Sequence, residues 1–433
     1  MATDGGATSD IPGYKIGARL YVGSDWALFE AVKIDSGRTG LLRMLTSEVP
    51  ARRKHVLSRA KLFDELKLPC SAAVLDLADR TSEDVYVFIE GEAQNLLHMK
   101  LREQRLAPAE IIALAGQLSS TLRELAASNI VYLDLRPDTI LWETGSSASS
   151  GSSQGGRLKI LPGDMVKFQK AQARQVTLSE ETFPPPWAAM RPYQPDEQRA
   201  GAEQLDERAM VYSMATVIYE LLWGGPPPET IPQQLPPSGL SDSEREPLVQ
   251  YLRELIGEML TSSAPFRPSV QHVATRAQWL ARMSSMIGSP IEGRYKPERV
   301  LSLGGMGAVL LAVDERVSTT EVAAKVAIKV PYPESDKARI DQEITAIIHA
   351  GQKSNDIVEI VDRGTLPEIG PYIVMRFLEG ETLKTRMQKR GKLDVQEALL
   401  IAERLAVALC TIHRQGIFHR EVTMIDSDCL RSC

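Results

Sequence analysis

The sequence predicts an α+β fold that occurs twice along one chain of 433 residues. Short apolar runs separated by turns open each half, and such runs are typical of strands. The stretch Pro108–Ala127 follows with apolar residues on one face of a helix. The helix and the residues after it recur 287 positions later, where Leu118 corresponds to Leu405. A match that also keeps the following strand and a carboxylate predicts an internal repeat.

The most informative stretch, from Val300 to Val330, places a glycine cluster between two strand-like runs. The cluster consists of Gly304, Gly305, Met306 and Gly307. Glycines allow the backbone to approach an anion closely and to offer N–H groups to it. Lys329 is a lone cation in the later β-branched run, and it could reach phosphate oxygens as a point charge. The pattern predicts a sheet that folds over the phosphates of a nucleotide.

Two other interpretations of the glycine cluster compete with this one. A dinucleotide-binding fingerprint would open a helix directly after its last glycine, whereas Ala308–Val313 is typical of a strand. A hairpin turn with a partly exposed lysine explains the glycines alone about equally well. The position of Lys329 within Val-Ala-Ile-Lys-Val favours the phosphate-binding interpretation.

With its glycine loop and Lys329, this stretch resembles the N-terminal lobe of a bacterial-type Ser/Thr protein kinase. The resemblance implies a two-lobed α+β fold, an antiparallel-sheet N-lobe and a helical C-lobe, that uses ATP and Mg²⁺. It implies that Glu343 orients Lys329 through an ion pair. The nucleotide-binding positions that it implies are Leu301, Ser302, Gly304, Gly305, Met306, Gly307, Val309, Lys329, Met375 and Leu378. Ser302 replaces the first of three family glycines, which we expect to weaken close approach without abolishing binding.

The end of the second copy departs from the family. Ile417–Arg420 resembles the His-Arg before the catalytic aspartate, but Glu421 follows it and is a candidate base one methylene longer. After Val422 the similarity stops, with no Lys-Pro and no asparagine at the expected offset. We therefore expect no metal-binding residues and an incomplete C-lobe, as a truncated or frameshifted reading frame would produce. The helix Val395–Arg414 would then present an apolar stripe that needs cover.

The first copy resembles a degenerate version of the same fold. Four family positions have changed, to Arg43 at the strand lysine, Arg59 at its glutamate partner, Thr139 at the metal-binding asparagine and Pro162 at the metal-binding aspartate. Phosphoryl transfer needs metal ions to neutralise developing charge, so these changes predict a pseudokinase. Asp134 occupies the catalytic-base position, and a structural role for it is favoured. Pro195–Glu197 and Phe266–Ser269 resemble two family segments of the C-lobe.

The expected domain boundaries follow from these two copies. Residues 1–13 form a disordered lead, 14–285 the pseudokinase domain, 286–292 a linker and 293–433 the truncated kinase domain. The polar tract Gly145–Gly156 is expected to be a flexible loop.

Composition excludes several classes of protein. A net charge of −6 shows no nucleic-acid footprint. No uncharged apolar run approaches the ~18 residues of a membrane span, and the N-terminus lacks a signal-peptide pattern. Four cysteines without metal spacing indicate a reducing, cytoplasmic compartment.

Three functions remain open at this point. The favoured one is a Ser/Thr kinase-related regulatory protein that binds ATP through its second N-lobe and is not catalytically competent. The alternative is an active kinase that transfers the ATP γ-phosphate to protein hydroxyls if the reading frame continues. The third is a remnant without function. The expected partners are ATP, a protein substrate or regulator, and a contact between the two copies.

Overall fold

The computed structural model describes residues 11–22, 26–45, 50–78, 85–143, 157–163, 166–168, 191–200, 205–232, 234–304, 307–318, 323–333, 357–367 and 369–414. The chain divides into two compact units. Unit 1 comprises Met1–Ser241 and Val249–Arg282, and unit 2 comprises Asp242–Leu248 and Met283–Cys433. Each unit contains a five-stranded antiparallel sheet followed along the chain by helices, so the α+β prediction is confirmed.

The sheet of unit 1 is formed by β1 (Tyr14–Val22), β2 (Trp26–Lys33), β3 (Thr39–Leu45), β4 (Val74–Leu77) and β5 (Tyr86–Ile89). Its strand order is β1-β2-β3-β5-β4, and every neighbouring pair is antiparallel. Helix α1 (Pro50–Leu66) lies between β3 and β4 along the chain. Leu41, Leu42 and Phe88 are completely buried, which places the core of this sheet at its centre.

The chain continues through short strand pairs and helices. These are α2 (Leu97–Glu103), α3 (Pro108–Ala127), β6 (Ile130–Tyr132), β7 (Ile140–Glu143), β8 (Arg157–Ile160), β9 (Val166–Phe168), α4 (Asp196–Arg199), α5 (Glu207–Trp223), α6 (Glu246–Met259) and α7 (Val270–Met286). Strand β6 pairs with β9, and β7 pairs with β8. The helix predicted over Pro108–Ala127 is confirmed with the same bounds.

Local chemistry explains why α3 and α5 begin and end where they do. Pro108 begins α3, where a missing N–H costs nothing. The Glu110 carboxylate accepts a hydrogen bond from the Ala107 backbone N–H at 2.8 Å. Asp206 caps α5 by accepting from the N–H of Arg208, and Gly224 ends that helix with φ +82°.

A fully buried arginine ties two distant segments of unit 1 together. The Arg267 guanidinium donates to both carboxylate oxygens of Glu197, at 2.5 and 2.9 Å. It also donates to the carbonyl oxygens of Thr261 and Ser262, each at 2.6 Å. These are the two segments, around Glu197 and Arg267, that resemble family features of the C-lobe. A bidentate pair with its remaining donors satisfied fixes their relative position.

Loss of this pair should destabilise unit 1 strongly. We expect Glu197→Gln to lower the free energy of unfolding by about 2–4 kcal/mol, because Arg267 keeps a buried charge without its counter-ion. Glu258→Gln is the matched control, since Glu258 pairs with Arg276 but is 47% exposed. That change should cost less than about 1 kcal/mol in denaturant titrations. If both variants lose the same free energy of unfolding, the buried Arg267–Glu197 pair does not have the stabilising role given to it here.

Unit 2 contains a sheet of the same strand order as unit 1. Its strands are β10 (Tyr295–Gly304), β11 (Gly307–Asp314), β12 (Lys325–Pro331), β13 (Ile360–Leu366) and β14 (Gly370–Arg376), in the order β10-β11-β12-β14-β13. Two helices follow, α8 (Leu383–Arg390) and α9 (Val395–His413). The strand predicted after the glycine cluster is therefore confirmed as β11.

The two sheets share irregularities as well as strand order. The pairing of β1 with β2 shifts register twice, and the pairing of β10 with β11 does the same. In unit 1 the hydroxyl of Tyr14 donates to Asp76 at 2.6 Å, and in unit 2 the hydroxyl of Tyr295 donates to Asp362 at 2.6 Å. Each pair joins the first strand of its sheet to the fourth. The repeat predicted from the sequence is thus present in the strand pairing.

In unit 2 an ion-pair network surrounds this contact. The guanidinium of Arg294 contacts Asp314 at 2.7 Å and Asp362 at 2.7 Å. The hydrogen bonds from Arg294 hold the pKa of Asp314 below its ordinary value of 3.8. The pKa of Asp362 is also lowered, chiefly by the hydrogen bond from Tyr295.

These depressed pKa values predict acid sensitivity of unit 2. The stabilisation from Asp314 is fully present above its unfolded pKa near 3.8 and is lost as the pH falls through the lower folded pKa. We expect Asp314→Asn to reduce stability at pH 7 and to flatten the decline in the unfolding midpoint between about pH 5 and pH 2. Thermal unfolding of both proteins over that range measures this. If the unfolding midpoint of Asp314→Asn declines with falling pH as steeply as that of the original protein, the prediction is wrong.

Helix α9 exposes apolar residues that its counterpart α3 buries. Leu118 on α3 is 0% exposed, whereas Leu405 is 37% and Leu399 is 64% exposed. Ile401 and Ile412 are buried, so the predicted bare stripe is covered in part. In unit 1, α3 packs against α5 and contacts α7 through Gly116.

Among the helices that the structure describes, none is long and apolar enough to cross a membrane.

Candidate functional site

Strand register in unit 2 aligns the predicted site residues in one row across the sheet. Ser302 lies opposite Val309, Val309 opposite Lys329, and Lys329 opposite Ile373. Residues directly opposite each other in antiparallel strands point to the same face. Met375 lies two residues beyond Ile373 on the same strand, so it shares that face as well.

The face that carries Lys329 is the half-open face of the sheet. Ser302, Val309, Lys329 and Met375 are each partly exposed. The alternating positions on the same strands are completely buried, namely Ala308, Leu310, Ile328, Val330 and Val374. Lys329 therefore lies on the central strand of the sheet, on its partly exposed side.

The remaining predicted positions differ in how they are placed. Leu301 lies at the register shift of β10, and Leu378 follows β14; both are partly exposed. Gly304 pairs with Gly307 at the end of the β10–β11 hairpin. The roles predicted for Gly305, Met306, Glu343 and Glu421 fall outside the described residues.

The two described glycines of the hairpin have different physical requirements. Gly307 has φ +144°, and a Cβ there would overlap the Val330 carbonyl oxygen and lie 2.7 Å from Pro331 Cα. A Cβ on Gly304 meets no described atom within 4 Å. Gly307 is thus needed for the close approach of β12, whereas a side chain at Gly304 would meet none of the described residues.

In unit 1, Arg43 occupies the register position that Lys329 has in unit 2. Arg43 lies between Leu28 on β2 and Val87 on β5, as Lys329 lies between Val309 and Ile373. This agrees with the prediction that Arg43 replaces the strand lysine. Unlike the lysine, Arg43 is buried.

Arg43 is engaged by other parts of unit 1. Its guanidinium donates to the Pro162 carbonyl oxygen at 2.8 Å and lies 3.5 Å from the carboxylate of Asp134. It stacks over the ring of Trp26, with 3.9 Å to the ring centroid. The two segments that in the family would hold metal and base therefore contact the strand cation directly.

Asp134 is 1% exposed and also contacts Arg136 at 3.2 Å. Burial alone would lower the pKa of Arg136, but Asp134 and then Asp138 outweigh it and raise that pKa. Burial raises the pKa of Tyr132 well above its ordinary value, so this phenol stays neutral and donates to Leu161. An aspartate enclosed between two guanidiniums is a poor base, which fits the structural role favoured from the sequence.

The positions that would hold Mg²⁺ in unit 1 do not fit a metal ion. The Thr139 hydroxyl donates to the Asp134 carbonyl oxygen at 2.7 Å and accepts from the Arg136 N–H at 3.0 Å. Pro162 offers a carbonyl that Arg43 already occupies. In the part of the chain that the structure describes, no group of three His, Cys, Asp or Glu residues could hold a metal ion.

Sequence reasoning missed two aromatic residues in unit 1. Trp26 stands at the register position of Gly307, and Tyr21 stands at that of Ser302. Tyr21 accepts from Arg136 at 3.4 Å, and Trp26 underlies Arg43. A residue-by-residue alignment of the two hairpins would have shown bulky side chains at both positions. In unit 2 the same two positions are occupied by the small residues Gly307 and Ser302.

Comparison with known proteins assigns the second part of the chain to a family. The protein kinase domain family matches residues 295–424. Serine/threonine-protein kinase PknA of Mycobacterium tuberculosis is 34% identical over 149 residues, which cover 32% of this chain and 33% of PknA. Serine/threonine-protein kinase PrkC of Bacillus subtilis is 35% identical over 142 residues, or 32% of this chain and 21% of PrkC. The matched segment, 295–424, therefore belongs to the protein kinase family, of the bacterial Ser/Thr type.

A third relative gives the same picture. A probable serine/threonine-protein kinase of Clostridium perfringens is 34% identical over 139 residues, which cover 32% of this chain and 20% of that protein. The chain thus spans between a fifth and a third of the length of these curated relatives.

The different requirements of the two glycines can be tested directly. We expect Gly307→Ala to destabilise unit 2 by at least about 1 kcal/mol, because the left-handed region and the contact with β12 both exclude a Cβ. Gly304→Ala should leave the free energy of unfolding within about 0.5 kcal/mol of that of the original protein, and it should weaken ATP binding. Thermal unfolding with and without ATP separates the two effects. The account is wrong if Gly304→Ala is the more destabilising change.

Proposed function

We propose that unit 2 binds ATP, with Lys329 at the phosphates and the β10–β11 hairpin folded over them. The observation that carries this proposal is the single half-open face on which Ser302, Val309, Lys329 and Met375 are aligned. The family match over residues 295–424 supports it. Its coarser part, that this segment is of the Ser/Thr kinase type, is already given by that match.

The chemistry of the site follows from its strands. No described atom lies within 4 Å of a Cβ built on Gly304, which leaves room for the close approach of a phosphate. Lys329 supplies a positive point charge, and strand pairing on both sides fixes its backbone. Met375 lies on the same face at the end of β14 and would border the adenine pocket, with Leu378 beyond it. Mg²⁺ bound with ATP would supply charge neutralisation for the phosphates.

We propose further that this 433-residue chain regulates rather than catalyses, in the cytoplasm. Two features support this. In unit 1, Arg43 and Arg136 enclose Asp134, and the metal positions are engaged. In unit 2, Glu421 stands where the family resemblance places the catalytic aspartate. Phosphoryl transfer needs base and metal together in one cleft.

A second function is favoured by the relatives, which are serine/threonine-protein kinases. On this alternative, unit 2 transfers the γ-phosphate of ATP to hydroxyl groups of a protein. Glu421 would then be the base that accepts the hydroxyl proton. Incubation of the purified chain with labelled ATP and a generic protein substrate separates the two functions. Transfer that Glu421→Gln abolishes would establish the alternative.

ATP binding itself is tested by Lys329→Ala. We expect ATP with Mg²⁺ to stabilise the original chain, by about 2.7 kcal/mol when ATP exceeds its dissociation constant a hundredfold. Lys329→Ala should remove most of that stabilisation. Lys325→Ala is the control, because Lys325 is on the same strand and exposed. Binding that is unaffected by Lys329→Ala, or equally reduced by Lys325→Ala, would overturn the proposal.

A further inference from the structure

Unit 1 contains a buried charge cluster that connects its sheet to the loop between β6 and β7. Arg43 projects from β3, in the middle of the sheet. Its partners Asp134 and Pro162 follow β6 and β8, outside the sheet. One guanidinium thus joins the sheet to two other segments of the unit.

A second guanidinium makes the reverse connection. Arg136 lies in the loop and reaches the hydroxyl of Tyr21 on β1 at 3.4 Å, with its guanidinium carbon 5.7 Å from the ring centroid. It contacts Asp134 and Asp138, each at 3.2 Å. Sheet and loop are therefore linked in both directions, by Arg43 from the sheet and by Arg136 from the loop.

Among the contacts between described residues, this cluster pairs cations with anions. Arg43 and Arg136 face Asp134 and Asp138, two cations against two anions, and Asp134 is shared by both guanidiniums. A buried ion pair stabilises its surroundings only while both partners remain, because a single buried charge is strongly unfavourable. Separating the sheet from the loop would expose or isolate charges on both sides at once.

We propose that the Arg43–Asp134–Arg136 cluster is an internal lock that makes the sheet and the helical part of unit 1 open as one body. The anion that the strand cation needs comes from the chain itself, so the cluster also fills the place where a nucleotide phosphate would lie. Trp26 and Tyr21 pack on the two guanidiniums and cover them from the sheet side. This inference does not depend on ATP binding by unit 2.

Hydrogen exchange on the full chain tests the lock through its cooperativity. In the original protein, the amides of β3 and β5 and those of α3 should exchange through one common opening. In Arg43→Gln, the strand amides should exchange at least about tenfold faster than those of α3, because the sheet can then open alone. The variant Asp134→Asn should show the same split. A merely structural contact would accelerate both groups of amides equally.

The double variant Arg43→Gln with Asp134→Asn distinguishes a coupled pair from two separate contributions. For a lock, its acceleration is smaller than the product of the two single accelerations, because each single change already breaks the Arg43–Asp134 contact and that contact cannot be lost twice. Lys33→Gln is the control on the same sheet, since Lys33 pairs with Asp76 within the sheet. This control variant should not make the strand amides exchange faster than the amides of α3.

Each outcome of this experiment decides the proposal. If Arg43→Gln fails to fold, Arg43→Lys keeps the charge and loses the planar fork, and it should give a smaller split of the same sign. Accelerations that multiply in the double variant overturn the lock. So does an Arg43→Lys protein in which strands and α3 still exchange together.

Discussion

A positive charge at one register position of the third strand must be matched by an anion, and the rest of the structure follows from where that anion comes. In unit 1 the cation is Arg43, and the carboxylate of Asp134 lies 3.5 Å away within the same unit. In unit 2 the cation is Lys329, on a half-open face beside a glycine hairpin. The same position is thus buried in one copy and partly exposed in the other.

The sheet explains why one position matters so much. Both sheets have the same order and the same two register shifts in their first hairpin. Those shifts determine which residue of the first strand lies in the same cross-strand row as the cation on the third strand. In unit 2 they bring Ser302 into the row of Lys329, and in unit 1 they bring Tyr21 into the row of Arg43. The row thus contains the small residue Ser302 in unit 2 and the aromatic residue Tyr21 in unit 1.

Periodicity and spacing were sufficient to predict much of this architecture from the sequence. The helix at Pro108–Ala127, the strand after the glycine cluster and the duplication all follow from local patterns and one internal match. These features depend on neighbours in sequence, which is why sequence alone could indicate them. The family resemblance, rather than a local pattern, indicated that Arg43 replaces the strand lysine.

Contacts between distant residues could not be predicted in the same way. Arg43 and Asp134 are far apart along the chain, and their approach depends on how the loop after β6 packs against the sheet. The hydrogen bond from the Arg136 guanidinium to the Tyr21 hydroxyl depends on the same packing. Likewise, the distinction between Gly304 and Gly307 comes from the path of β12.

The number of nucleotides bound by each chain tests the central claim most directly. Equilibrium dialysis of the 433-residue protein with labelled ATP and Mg²⁺, carried to saturation, measures it. Because Asp134 already neutralises the strand cation of unit 1, the account predicts one ATP per chain, bound by unit 2. Two ATP molecules per chain, or none, would contradict it.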